Sequence, residues 1–221
     1  MSLKSKLVLR FLMAAAVFGA MLFIPAGTLK FWQGWTYLVI WFGLALFAFT
    51  YFYKRDPQLV QRRLRRRETV REQKIIMKIF YVAGAVIYLL PGLDHRFGWS
   101  HSPLWLTILS QAIVFGSYLM MFWVIKVNRF AAAIVQVEPG QQVISSGPYT
   151  VVRHPMYLGA SVMFLFTPLA LGSYWALPGF LLLIPIIVLR LLNEEKVLRQ
   201  ELTGYTEYCL STRFRLVPCL W

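Results

Sequence analysis

Apolar positions in this chain come in long unbroken runs. They form neither the one-sided stripes of a soluble helix nor the alternation of a half-buried strand. The runs over 7–25, 35–53, 75–93 and 103–127 each approach or exceed the roughly 20 apolar residues that cross a bilayer as a helix. Two more, 155–171 and 174–192, are divided by Gly172-Ser173, which predicts a tight helical hairpin. Pro168, Pro178 and Pro185 fall within this pair. Membrane helices tolerate proline where neighbours satisfy the released backbone groups, and the bend it imposes can open a cavity. The pattern predicts an all-α fold: a polytopic membrane helical bundle of about six transmembrane helices. The first run is read as an uncleaved span and not a signal peptide, because further apolar runs follow it.

Charge orients the bundle. With the N-terminus inside, the cytosolic stretches collect Lys4, Lys6, Arg10, a dense cluster between Lys54 and Lys74, Lys126, Arg129, Arg153 and the C-terminal basic residues. The outer loops keep Lys30 and Arg96. The positive-inside rule then predicts that both termini are cytosolic. Trp32, Trp35, Trp99, Trp105 and Trp175 sit near span ends, as interfacial aromatic belts do. The stretch "KRDPQLVQRRLRRRETVREQK" reads first as topogenic charge in contact with anionic lipid, and second as a collector of an anionic lipid substrate.

Composition agrees. The chain is 58% hydrophobic and 14% charged, against about 25% charged for soluble domains, so its main partner is the lipid bilayer. A formal net charge of +14 would suit nucleic acid. The basic residues instead flank apolar runs, and no nucleic-acid-binding motif is present, so no nucleic-acid partner is expected. Cys209 and Cys219 form no CxxC and read as reduced cytosolic thiols. His95 and His101 lack partners at ligand spacing, so no metal is expected.

The chemically useful residues gather on the cytosolic side. In "GPYTVVRHPMYLG", Pro155 suits the first turn of the fifth helix, where its missing N–H costs nothing. Arg153 and His154 then stand at a helix N-terminus, which favours an anion. The plainer reading makes Arg153 a topogenic charge and His154 a helix-entry residue. In "RLLNEEKVLRQELTGYTEY", Arg190 and Glu194 are four apart and share a helix face at the end of the sixth run. Ionisable residues at such depth face a cavity or a partner. Glu195 and Arg199 read as an ordinary surface pair.

Together, "GQQVISSGPYTVVRHPMYLG", "RLLNEE" and "GYTEY" resemble the isoprenylcysteine carboxyl methyltransferase family and the related phospholipid N-methyltransferases, over roughly 129–221. The resemblance implies an integral membrane enzyme that uses S-adenosylmethionine, with its active site facing the cytosol. The membrane would be the inner or plasma membrane of a bacterium, or an endomembrane of a eukaryote. Residues 1–128 would supply helices 1–4 and the basic cytosolic loop, and residues 129–221 the methyltransferase core with its cofactor pocket. Carried over, the cofactor contacts are Gln136, Gln141, Gln142, Val143, Ile144, Tyr149, His154, Pro155, Met156, Tyr157 and Glu194, and Arg190 positions the substrate.

The implied acceptor is lipophilic or lipidated, with a carboxylate favoured. A phospholipid amine stays open as the alternative. So does an NADPH-dependent membrane reductase of the sterol reductase type, which shares an RHPxY-like element, and a non-catalytic scaffold comes last. The tail "STRFRLVPCLW" is either an interfacial anchor through Trp221 or a part of the pocket's closure. The topology is checked by thiol labelling in sealed vesicles. Single-cysteine variants at Lys30 and Arg96 are expected to react from outside and Cys209 from inside; the reverse pattern inverts the bundle.

Overall fold

A computed structural model describes residues 3–64, 71–130, 137 and 140–221, with backbone alone at 3–7, 62 and 64. Gln136, residues 65–70 of the basic loop and Pro139 of the expected turn lie outside the described residues. Among those described, all regular structure is helical. The order is α1 (Leu3–Ala26), α2 (Trp32–Arg55), α3 (Pro57–Leu64), α4 (Arg71–Ile87), α5 (Leu90–Phe97), α6 (Leu104–Val127), a 3₁₀ turn (Gly147–Thr150), α7 (Pro155–Ala170), α8 (Leu177–Leu181), α9 (Leu183–Glu201) and α10 (Tyr205–Ser211).

Among the described residues, five apolar helical stretches are long enough to cross a membrane: Val8–Ala26, Trp32–Arg55, Arg71–Phe97, Leu104–Val127 and Leu177–Glu201. Helices suit lipid because each satisfies its backbone hydrogen bonds internally. The remaining apolar run is α7, a helix of 16 residues. At about 1.5 Å per residue it is shorter than the roughly 30 Å hydrocarbon layer. The third and last spans are each two helices. Tyr88-Leu89 separates α4 from α5 just before Pro91, and Leu182 separates α8 from α9 between Pro178 and Pro185. The missing proline N–H groups account for both breaks.

The helices lock together at close approaches. Gly159 of α7 lies against α6, where a Cβ would come within 2.8 Å of Met121. At Gly92 of α5 a Cβ would stand 2.4 Å from the Leu22 carbonyl oxygen of α1. Buried polar side chains bridge helices deep in the bundle. The Tyr37 hydroxyl meets those of Tyr88 (2.9 Å) and Thr167 (3.1 Å), and Gln111 donates to Thr36 Oγ1 (2.6 Å) and the Ala170 carbonyl (3.1 Å). Such bonds hold helices together where lipid supplies no hydrophobic drive.

At one end of the bundle the loops meet around Asp94, which is 1% exposed. Its carboxylate accepts from Ser100 N, Ser100 Oγ and Ser173 Oγ, while Tyr174 N donates back to Ser100 Oγ. The Gly172-Ser173 hairpin is held there, with Gly172 in the left-handed region (φ +74°).

At the opposite end α3 turns the chain across the bundle. Asp56 Oδ1 caps it at Leu59 N (3.0 Å), and Leu59 and Val60 bury themselves beside Phe52 and Phe122. Also at this end, Cys209 is buried and Cys219 exposed. The C-terminal thiol that labelling can reach is therefore Cys219, because α10 packs Cys209 against Leu202, Tyr205 and Tyr208. Asp94→Ala strands the buried Ser173 hydroxyl and two half-buried donors of Ser100. It is expected to cost about 2–4 kcal/mol, read as a lower unfolding temperature in detergent.

Candidate active site

The polar end of the bundle is organised by the entry to α7. Gly147 (φ +60°) opens the 3₁₀ turn that carries Tyr149. The chain then passes through Val152, Arg153 and His154, all buried. Pro155 occupies the first helical position, as its chemistry predicts. The C-terminal tail returns alongside: Arg153 N donates to the Phe214 carbonyl (2.9 Å) and His154 N to that of Arg215 (3.0 Å). The tail is thus part of the wall at this end.

Behind that wall lies Glu195, 3% exposed. Arg215 Nε donates to its Oε2 at 2.9 Å, and Arg153 Nε stands 2.8 Å from its Oε1. The Arg153 contact is one of charge and not an aligned hydrogen bond. Arg153 Nη1 also donates to the carbonyls of Cys209 and Thr212, both at 3.4 Å. His154 Nε2 lies 3.4 Å from both Glu195 Oε1 and the Tyr205 hydroxyl.

Two sequence expectations are corrected here. Glu195 is not half of a surface pair, since Arg199 only approaches it at 4.0 Å from the exposed side. Arg153 lines the cavity, but its charge is balanced by Glu195 and is not left unpaired for an anion at the helix N-terminus. Neighbouring helical residues point about 100° apart, so Glu194 and Glu195 serve different faces.

Glu194 serves the cavity, which measures about 260 Å³. Gln141, Gln142, Val143, Ile144, Tyr149, His154, Pro155, Met156, Tyr157, Arg190 and Glu194 all line it. The structure therefore brings the two sequence motifs into one space, with Gln136 outside the described residues. Arg190 and Glu194 communicate through Tyr157, whose hydroxyl accepts from Arg190 Nε (3.1 Å) and donates to the Glu194 carboxylate. On its other side Arg190 Nη1 donates to Gln73 Oε1 of α4 (3.2 Å).

Sequence reasoning did not place Arg63, Asn128, Phe130, Val197, Leu198, Leu202, Tyr205 or Tyr208 at the cavity. Val197 and Leu198 could have been found, since they lie three and four residues after Glu194 on the same face. Tyr205 and Tyr208 belong to the quoted "GYTEY". Arg63 carried no signal within its run of charge.

The phenols are held neutral. Burial pushes the Tyr149 hydroxyl up to about 12 and that of Tyr208 also to about 12, and burial, with Glu195 beside it, raises Tyr205. Asn128 Nδ2 donates to the Tyr149 hydroxyl (2.9 Å), and Tyr208 donates to the Tyr149 carbonyl (2.7 Å). No group of three or more His, Cys, Asp or Glu that could hold a metal occurs among the described residues.

The family comparison falls on this same part of the chain. Residues 105–203 match the phospholipid methyltransferase family, PEMT. The matched segment takes in α6 as well as α7, α8 and α9, so it begins earlier than the resemblance read from the motifs. The match is to a methyltransferase family, it falls on membrane-type helices, and the matched residues supply most of the cavity wall. Arg63, Gln73, α10 and the tail lie outside it.

Glu195→Gln leaves Arg153 and Arg215 facing a neutral amide. It is expected to cost about 3–5 kcal/mol, against less than about 0.5 kcal/mol for Arg199→Ala. Thermal unfolding of both variants in detergent checks the contrast.

Proposed function

We propose that this protein is an integral membrane S-adenosylmethionine-dependent methyltransferase that methylates a lipophilic acceptor, with a carboxylate as the favoured group. The observation that carries the reading is that one cavity, walled mostly by the segment that matches the phospholipid methyltransferase family, gathers residues of both sequence motifs. The walls fit the cofactor in kind. Val143, Ile144, Val197 and Leu198 offer apolar surface, Tyr149, Tyr205 and Tyr208 offer aromatic faces, and Glu194 offers a carboxylate for a hydroxyl or ammonium. Gln141–Ile144, Tyr149, the run His154–Tyr157 and Glu194 would hold the cofactor, joined by Gln136 on the family resemblance.

When bound, S-adenosylmethionine supplies a methyl group on a sulfonium, open to in-line displacement. The protein's part is then mainly positional. Arg190 would clamp an acceptor carboxylate through two parallel hydrogen bonds. A carboxylate needs no general base. With the charge distribution as guide, the cavity faces the cytosol.

A second acceptor, a phospholipid amine, is favoured by the description of the matched family, and such an acceptor must lose its ammonium proton before its nitrogen can attack the methyl group. For the reductase reading, Glu195 balances the charge of Arg153, while Arg63 and Arg190 also stand at the cavity wall, so cofactor titration decides between the two.

Calorimetric titration in detergent tests the reading: S-adenosylmethionine or its demethylated product binds, and NADPH does not. Tight NADPH binding would overturn it. His154→Ala and Glu194→Ala are expected to weaken cofactor binding about ten- to a hundredfold. Arg190→Ala is expected to spare cofactor binding and impair acceptor use, and Arg190→Lys to rescue incompletely because lysine lacks the planar fork.

A further inference from the structure

The polar contact between α4 and α9 lies at the level of the cavity. Gln73, in the first turn of α4, is fully buried. A buried amide is costly unless both its ends are paired. Here both ends close on one residue: Oε1 accepts from Arg190 Nη1 (3.2 Å), and Nε2 donates to the Arg190 carbonyl (3.2 Å). From the other direction Tyr157 accepts from Arg190 Nε and donates to Glu194. The guanidinium is therefore held from two sides by groups 84 residues apart in sequence, Gln73 and Tyr157. An unheld arginine samples many rotamers, and fixing one conformation before the ligand arrives removes an ordering cost from binding.

We propose that Gln73 is the positioning residue for the acceptor-side arginine. A residue of the N-terminal half, outside the methyltransferase-family segment, sets the geometry in which Arg190 meets an anionic acceptor. This rests on the reading of Arg190 as the acceptor's partner. Gln73 does not line the cavity and acts through Arg190. If it were merely a staple between α4 and α9, its loss would lower stability and cofactor affinity along with turnover. A positioning role separates them.

The test uses the full chain in detergent–lipid micelles. It follows transfer of a labelled methyl group from S-adenosylmethionine into a total lipid extract of the expressing cells at saturating cofactor, with cofactor affinity measured beside it. Gln73→Met keeps the side chain's length and removes its polar groups. Gln73→Glu keeps an acceptor for Arg190 Nη1. We expect Gln73→Met to slow transfer about tenfold or more, with cofactor affinity within about threefold of wild type. Gln73→Glu should recover most of the rate. Wild-type turnover in Gln73→Met, equal impairment of the two variants, or cofactor affinity falling in step with turnover would each overturn the role. If the unaltered protein binds no S-adenosylmethionine, the methyltransferase function itself falls and takes this role with it. A normal wild type with an unaffected Gln73→Met removes the role alone.

Discussion

The carboxylate of Glu195 carries the polar end of this molecule. It is buried, and a charge so placed persists only where opposite charges meet it. Those charges come from the entry to α7 (Arg153) and from the C-terminal tail (Arg215), with His154 alongside. One ion on α9 thus fixes the start of α7, which borders the cavity, and the return of the tail behind it. The backbone bonds from Arg153 and His154 to Phe214 and Arg215 depend on the same alignment. The adjacent Glu194 is left to face the cavity. A paired glutamate at the end of a helix therefore divides its labour, one residue building the wall and the other presented to whatever lies within.

The two ends of the bundle are built by different means. The Asp94 end is closed by short loops whose serines satisfy one buried carboxylate. The cavity end is assembled from parts distant in sequence: Arg63 of α3, Asn128 at the end of α6, the segment around α7, and α9 with α10. Such an assembly would suit the proposed reaction, which brings a lipophilic acceptor and a polar cofactor to one site. The short α7 helps, because a helix of 16 residues leaves depth in which polar residues at its entry can gather.

The bundle was legible in the sequence because lipid leaves an apolar chain few choices beyond the helix. The ends of the helices were less so. The last apolar run stops near residue 192, yet α9 continues to Glu201, because Glu194 and Glu195 find partners that let the helix go on. The cavity's inner face was readable where chemistry is local: proline at a helix start, and Arg190 and Glu194 one turn apart. The role of Glu195 was not. Arg199 offered it a partner four residues away, and nothing periodic signals that Phe214 and Arg215 return to Arg153 and His154. Gln73 and Arg63 were hidden for the same reason, since their partners are distant in sequence and meet them only in the folded bundle.

The central claim is that the cavity beneath α7 and α9 holds S-adenosylmethionine. Ultraviolet crosslinking of methyl-labelled S-adenosylmethionine to the purified full-length protein, followed by peptide mapping, tests it most directly. The account predicts label on peptides spanning 140–157 or 194–208, competed away by the demethylated product. Label confined to α1 and α2, or label that the product does not displace, would contradict it.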